Sequence, residues 1–188
     1  MPKLWNETIA SHRHAVREAA LDATAAVVTE SGLPAVTMSK IAERAGIGRA
    51  TLYKYFPDID AVLVAWHDRQ ITRHLQHLAE VRDRTAGVGP RLRAVLEAYA
   101  QILAHHHSGA IVVGLHRGEH VRHAQQRLHE FVRALLTDAA QAGEVRDDVP
   151  ADELTRYVLH AVTAAEGLES PAVRRLVAVI LAGLTPQQ

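Results

Sequence analysis

The chain of 188 residues contains no cysteine. That absence excludes a disulfide framework, a thiolate nucleophile and any cysteine-ligated zinc site. Aromatic residues are also scarce, at 4% against 48% hydrophobic residues overall, so the core must be built from Ala, Leu and Val, as helical proteins build theirs. No apolar run approaches the roughly 18 residues of a membrane span, and the polar N-terminal stretch lacks a signal-peptide core. The expected setting is therefore cytoplasmic, with no membrane partner. Sustained alternation of apolar and polar residues is missing too, so no sheet is expected. Charge of one sign is absent as well: 21 Lys and Arg balance 21 Asp and Glu. Bulk charge argues for no polyanionic partner, so any such partner must be read from local charge.

Local charge and periodicity concentrate between Val36 and Phe56. Ile41, Ala42 and Ala45 fall on one face of a short helix that the Thr37 hydroxyl can cap. Gly46 follows, where a left-handed backbone ends a helix at little steric cost. Ile47 is apolar inside the turn and fills the gap between two helices. Leu52 and Phe56 repeat at helical spacing and face inward. That leaves Arg49, Ala50, Thr51, Tyr53, Lys54 and Tyr55 on the outer faces of the second helix. Across this stretch Lys40, Arg44, Arg49 and Lys54 are opposed only by Glu43, which makes a focused basic patch. Two short helices, a tight turn and a row of donors describe a helix-turn-helix reader of duplex DNA.

The outer residues suit that task chemically. Arg49 can fork onto a guanine edge or fall back on a phosphate, while small Ala50 lets the helix sit deep. Thr51, Tyr53 and Tyr55 offer hydroxyls to phosphate oxygens, which set register without reading sequence. Lys40 and Lys54 add charge, and the helix N-terminus adds its own positive end. The competing reading is an ordinary helical hairpin with Tyr53 and Tyr55 half-buried in packing. Tyrosines on either side of Lys54 are poor core material, which favours the DNA reading.

At these residues the chain resembles the TetR family of transcriptional repressors. The resemblance runs from about Val16 to Trp66. It takes in an Ala-rich first helix ending at Glu30-Ser31-Gly32, the Thr37 cap, Ile41-Ala-Glu-Arg-Ala-Gly46 and Thr51-Leu-Tyr-Lys-Tyr-Phe-Pro57. It implies that Thr37, Thr51, Tyr53 and Tyr55 touch phosphates, while Arg49, Ala50 and Lys54 face bases. Two positions depart from the family pattern. Where the family has a phosphate-reaching lysine at the start of the fourth helix, this chain has Ile59 between Asp58 and Asp60. Where it favours a bulky aromatic late in the first helix, this chain has Val28, a packing change.

Prolines 34, 57, 90, 150 and 171 and glycines 32, 87, 89, 109, 118 and 143 divide the remainder into helical segments. The expected fold is all-α with about nine helices. A helix-turn-helix head covers 1–57, and a body for effector binding and dimerisation covers 58–188. Asp58 caps a long fourth helix, striped by Val64, Ile71, Leu75 and Leu78 and running to about Arg84. Thr85–Pro90 reads as a loop. Leu92, Val95, Leu96, Tyr99, Ile102 and Leu103 trace the next face, a short segment follows at about Ala110–His116, and Leu128, Phe131, Val132, Leu135 and Leu136 trace another. From Asp152 to Ala165 there is a wide apolar face. From Pro171 to Leu184 the helix is apolar nearly all round and should be covered on both sides.

One cover for that last helix is the chain's own core, and a second subunit is the other. The resemblance adds that the family pairs through its last two long helices as a four-helix bundle. The expected homodimer interface is Leu154, Val158, Val162, Val173, Leu176, Val177, Ile180 and Leu184. A twofold dimer also places two recognition helices on a near-palindromic operator.

An effector would enter the body among Leu96, Tyr99, Leu103, Leu115, Phe131 and Leu135. The 13 histidines raise a metal site, from His116, His120 and His123 with His105, His106 and His107. No cysteine or carboxylate completes a ligand pattern, so a solvated polar face is the simpler reading and no metal or cofactor is expected. Ser108 beside His107 lacks an oxyanion-hole motif, and Gly46-Ile47-Gly48 belongs to the turn, so no enzyme is expected. The function read from the sequence is a homodimeric repressor of double-stranded DNA released by a small-molecule effector. Its alternative is a helical metal- or ligand-binding module without operator binding.

Overall fold

The structure is a computed structural model describing residues 3–105 and 119–186, with side chains from residue 11 and from residue 121 onward. Among the described residues every regular element is helical: α1 (Lys3–Ser31), α2 (Met38–Ala45), α3 (Arg49–Tyr55), α4 (Ile59–Arg84), α5 (Val88–His105), α6 (Glu119–Gln141), α7 (Ala151–Val162) and α8 (Ser170–Ala182). Short 3-10 turns at Leu33–Ala35 and Thr163–Ala165 join them. The expected short segment at 110–116 lies outside the described residues. The Thr85–Pro90 loop is shorter than expected, because α5 already begins at Val88. Pro90 falls in the first turn of that helix, where its missing N–H has no carbonyl partner to lose.

Among the described residues, those up to Gln70 and those from Ile71 onward cluster into two compact units, and the division between them falls inside α4. Packing explains that position: Val62 and Leu63, on the first turns of α4, are buried in the same apolar cluster as Leu52 and Phe56. α1 contributes Ala20, Leu21, Ala23 and Val27 to this cluster, and α2 contributes Met38, Ile41 and Ala42. Ile41 and Leu52 are fully buried, each stabilising the unit by about 1.5–3 kcal/mol relative to exposure. Val28 packs half-buried against the cluster in place of a larger ring. Arg69 of α4 ties back to α1, with its Nη1 at 2.8 Å from Glu18 Oε2 and 2.9 Å from Asp22 Oδ1.

The second unit is built around one continuous apolar cluster. Leu78 of α4, Leu92, Val95 and Leu96 of α5, and Val132, Leu135 and Leu136 of α6 meet α7 and α8 there. Here the residues expected at a dimer interface turn inward. Leu154, Val158, Val162, Val173, Val177, Ile180 and Leu184 are all buried in the protomer's own core, and Leu176 is half-buried against it. A side chain already removed from water by its own chain has no apolar area left for a partner. What α8 does leave outside is Ala178, Val179 and Ala182. Val179 is 68% exposed, and Tyr157 of α7 is 47% exposed. Among the described residues the core therefore covers one side of the last helix, and the apolar strip on its outer side is made of Ala178, Val179 and Ala182.

Candidate nucleic-acid interface

The first unit assembles the helix-turn-helix from short-range chemistry. The Thr37 hydroxyl oxygen accepts from the Lys40 backbone N–H at 3.3 Å and starts α2, a cap worth about 1 kcal/mol. Because the oxygen serves as acceptor, the O–H proton remains available to donate to a phosphate. Gly46 ends α2 in the left-handed region at φ 65° and ψ 28°, with its N–H reaching the Ala42 and Glu43 carbonyls. The next N–H, of Ile47, donates to the Ala42 carbonyl at 3.0 Å and draws the half-buried Ile47 into the turn. Gly48 then opens α3, which Leu52 pins to the core as its buried residue.

With Leu52 and Phe56 fixed inward, the outward set follows. Arg49, Ala50, Tyr53 and Lys54 are exposed on α3, while Thr51 and Tyr55 are half-buried. Tyr53 is 52% exposed, a large ring left half in water. Tyr55 packs partly against the head cluster, so it reaches outward from a braced position. Thr37 and Lys40 are exposed at the start of α2. The eight residues expected to meet DNA therefore all belong to the start of α2 or to α3, within one compact unit.

Two of the cations are not free in the way composition suggests. Arg44 forms a bidentate pair with Glu30 of α1, which removes it from the basic patch and braces α2 against α1. Arg49 donates from Nη2 to the Ser39 hydroxyl across the turn, leaving its other guanidinium donors for a base edge. Sequence spacing could not reveal the Arg44–Glu30 pair, since the partners lie 14 residues apart. A third feature was also missed: Arg13, His14 and Arg17 of α1 share a cleft with Lys54 and Tyr55. The hint was present in the i, i+4 spacing of the two arginines.

In the second unit, Leu96, Tyr99, Leu103, Phe131 and Leu135 gather in or against the apolar cluster, and Leu115 lies outside the described residues. Burial pushes the Tyr99 phenol up from its ordinary value, so it stays neutral. The guanidinium of Arg82 lies 5.2 Å over the Phe131 ring. An open cleft of about 470 Å³ lies alongside, lined instead by His74, His77, Ala98, Gln101, Ile102 and His105. Of the histidines weighed for a metal site, only His105 and His123 have described side chains. Among the described residues no group of three histidines or carboxylates is placed to hold a metal ion.

Residues 20–66 match the family model described as bacterial regulatory proteins, tetR family. Residues 68–186 match the model for the C-terminal domain of SbtR-like transcriptional regulators. The chain is 25% identical over 134 residues to the fatty acid metabolism regulator protein of Bacillus subtilis, spanning 68% of this chain and 69% of that one. It is 25% identical over 167 residues to the HTH-type transcriptional repressor KstR2 of Mycobacterium tuberculosis, spanning 81% of this chain and 80% of that one. Its fold matches the crystal structure of the transcriptional regulator FadR from Bacillus subtilis in complex with stearoyl-CoA. That match has a TM-score of 0.67 at 19% identity and covers 91% of this chain and 98% of the other.

Proposed function

The chain belongs to the TetR family of bacterial transcriptional regulators, and from that premise we propose a repressor whose homodimer binds a near-palindromic operator until a small-molecule effector releases it. The observation that carries the DNA part is the α2–turn–α3 unit, which turns Arg49, Ala50, Tyr53 and Lys54 outward while Leu52 is buried. In this reading Arg49, Ala50 and Lys54 meet base edges, and Thr37, Lys40, Thr51, Tyr53 and Tyr55 meet phosphates. The protein is a regulator and not an enzyme.

Dimerisation is supported by the exposed apolar groups on the last two helices. Tyr157, Leu168 and Val179 stand out of the core on or beside α7 and α8, and a twofold partner would cover them. The dimer surface we propose is therefore the outer strip of these helices, with Leu176 at its margin. Release is supported by the role of α4, whose Val62 and Leu63 belong to the head cluster and whose Leu78 belongs to the body cluster. A ligand seated in the body would act on the heads through that helix. The FadR structure carries stearoyl-CoA, a precedent for a ligand-bound regulator of this fold. We place the effector's polar end in the cleft of His74, His77, Gln101 and His105, whose imidazoles and amide suit a hydrogen-bonding or acidic group.

A gel-shift series with the DNA upstream of the protein's own gene tests the reading. Salt-sensitive retention is expected from the folded protein. Arg49→Ala is expected to relax base preference, whereas Tyr53→Phe weakens binding to all sequences alike. Absence of retention at near-physiological salt overturns operator binding, and equal relaxation in both variants overturns the assigned roles.

A further inference from the structure

The head carries a second cationic surface beside α3. Arg13, His14 and Arg17 from the first half of α1 and Lys54 and Tyr55 from the end of α3 wall one cleft of about 380 Å³. Among the described residues no carboxylate lines it. Two other arginines of the head are compensated by carboxylates. Arg44 is paired with Glu30, and Arg69 with Glu18 and Asp22. Arg13, Arg17 and Lys54 form no ion pair among the described residues. Three uncompensated cations around one concavity repel each other, and an anion placed among them relieves that repulsion.

Arg17 is also held in position. Its guanidinium carbon lies 5.1 Å over the centroid of the buried Phe56 ring. A guanidinium held against an aromatic ring by cation–π attraction still has N–H donors to offer an acceptor. Those groups and the Tyr55 hydroxyl make a donor set suited to the tetrahedral oxygens of a phosphate diester, and the Lys54 ammonium adds positive charge at the cleft's edge. The cleft continues the outward face of α3 through Lys54 and Tyr55, so a duplex lying against α3 carries its flanking backbone toward α1.

We propose that this cleft binds a backbone phosphate of duplex DNA, through Arg13 and Arg17 of α1 together with the Tyr55 hydroxyl. It supplies a contact in a head whose fourth helix begins with Ile59 rather than a cation. The inference rests on the operator-binding reading above and extends the DNA footprint from α2 and α3 to α1.

The test measures binding of a fluorescent duplex from upstream of the protein's own gene, and of a scrambled duplex, across about 50–200 mM salt. The full chain is used in four forms: wild type, Arg13→Ala, Arg13→Lys and Arg17→Ala. Arg13 is exposed, so its variants are expected to keep the wild-type circular dichroism. Each phosphate contact contributes roughly 0.9 to the slope of log affinity against log salt. Losing Arg13 from both heads of a dimer should lower the slope by about 1.8, so wild type loses roughly tenfold more affinity over that salt range than Arg13→Ala. Arg13→Ala and Arg17→Ala should weaken both duplexes equally, and Arg13→Lys should restore the wild-type slope. An unchanged slope in Arg13→Ala, with wild type binding normally, overturns the cleft alone. A wild type that retains neither duplex overturns operator binding and the cleft together.

Discussion

Val177 and Val179 lie two residues apart on α8 and sit in opposite environments, the first fully buried and the second 68% exposed. The pair separates core from interface on a single helix. Val177→Lys places an ammonium in a cluster of apolar side chains that contains no carboxylate. It removes about 1.5–3 kcal/mol of burial and adds the cost of an uncompensated charge, for a total above roughly 4 kcal/mol. Against a typical net stability of about 5–15 kcal/mol, that leaves the protomer marginal or unfolded. Val179→Lys meets water on the protomer surface and should change folding stability by no more than about 0.5 kcal/mol. In a twofold dimer across the outer strip, however, it introduces two ammonium groups at once. Arg175, one turn earlier and exposed, offers like charge. At about 2 kcal/mol per buried ammonium the dimer loses about 4 kcal/mol, or roughly a thousandfold in Kd. Sedimentation equilibrium across nanomolar to micromolar protein, alongside thermal melts by circular dichroism, reads both quantities. A Val179→Lys protein with wild-type dimer affinity would refute the outer strip as the interface. A folded Val177→Lys protein that dissociates would restore the inner face to that role.

Three further outcomes follow from local geometry. Gly46→Ala should cost about 1–2 kcal/mol in a urea titration: a Cβ there meets nothing within 4 Å, so the cost is the φ of +65° alone. Thr37→Ala should lose about 1 kcal/mol of stability with the α2 cap and also weaken binding to every duplex; loss of stability with binding unchanged would remove the phosphate role. Asp83 beside Arg82 and Asp148 beside Arg146 are held below the usual carboxylate range, chiefly by the hydrogen bond from the arginine side chain. A depressed folded value means stability that is present above the unfolded carboxylate pKa of about 3.9 and lost as pH falls through the lower folded value. Asp148→Asn should therefore lower Tm slightly in the neutral region and leave the acid end unchanged, which flattens the acid limb of a Tm-against-pH series below about pH 4.

The head was legible in the chain because its chemistry is local. A cap at Thr37, a left-handed glycine at Gly46 and inward residues at Leu52 and Phe56 act over fewer than a dozen positions each, so spacing alone places Arg49, Tyr53 and Lys54 on the outside. The extent of α4 was legible for the same reason, with Asp58 Oδ1 accepting from the Ala61 N–H at 2.8 Å and the helix ending at Arg84. The limits of α5 were less so: Gly87, Gly89 and Pro90 read as loop residues, yet the first turn of a helix tolerates Pro90 and α5 starts at Val88.

Tertiary structure decided which groups those helices leave to a partner or a ligand. Periodicity marked α7 and α8 as apolar but assigned no owner to each face, and a valine buried by its own chain has the same spacing signature as one awaiting a second subunit. Only packing resolves that, with Val177 in the core and Val179 in water. The same holds for charge. Arg44 and Arg49 read alike in the sequence, yet Arg44 is held by Glu30 while Arg49 reaches only Ser39, because ion pairing depends on distances that sequence separation does not encode. Arg13 and Arg17 join Lys54 for that same reason, since the meeting of α1 and the end of α3 at one cleft is a property of the folded head.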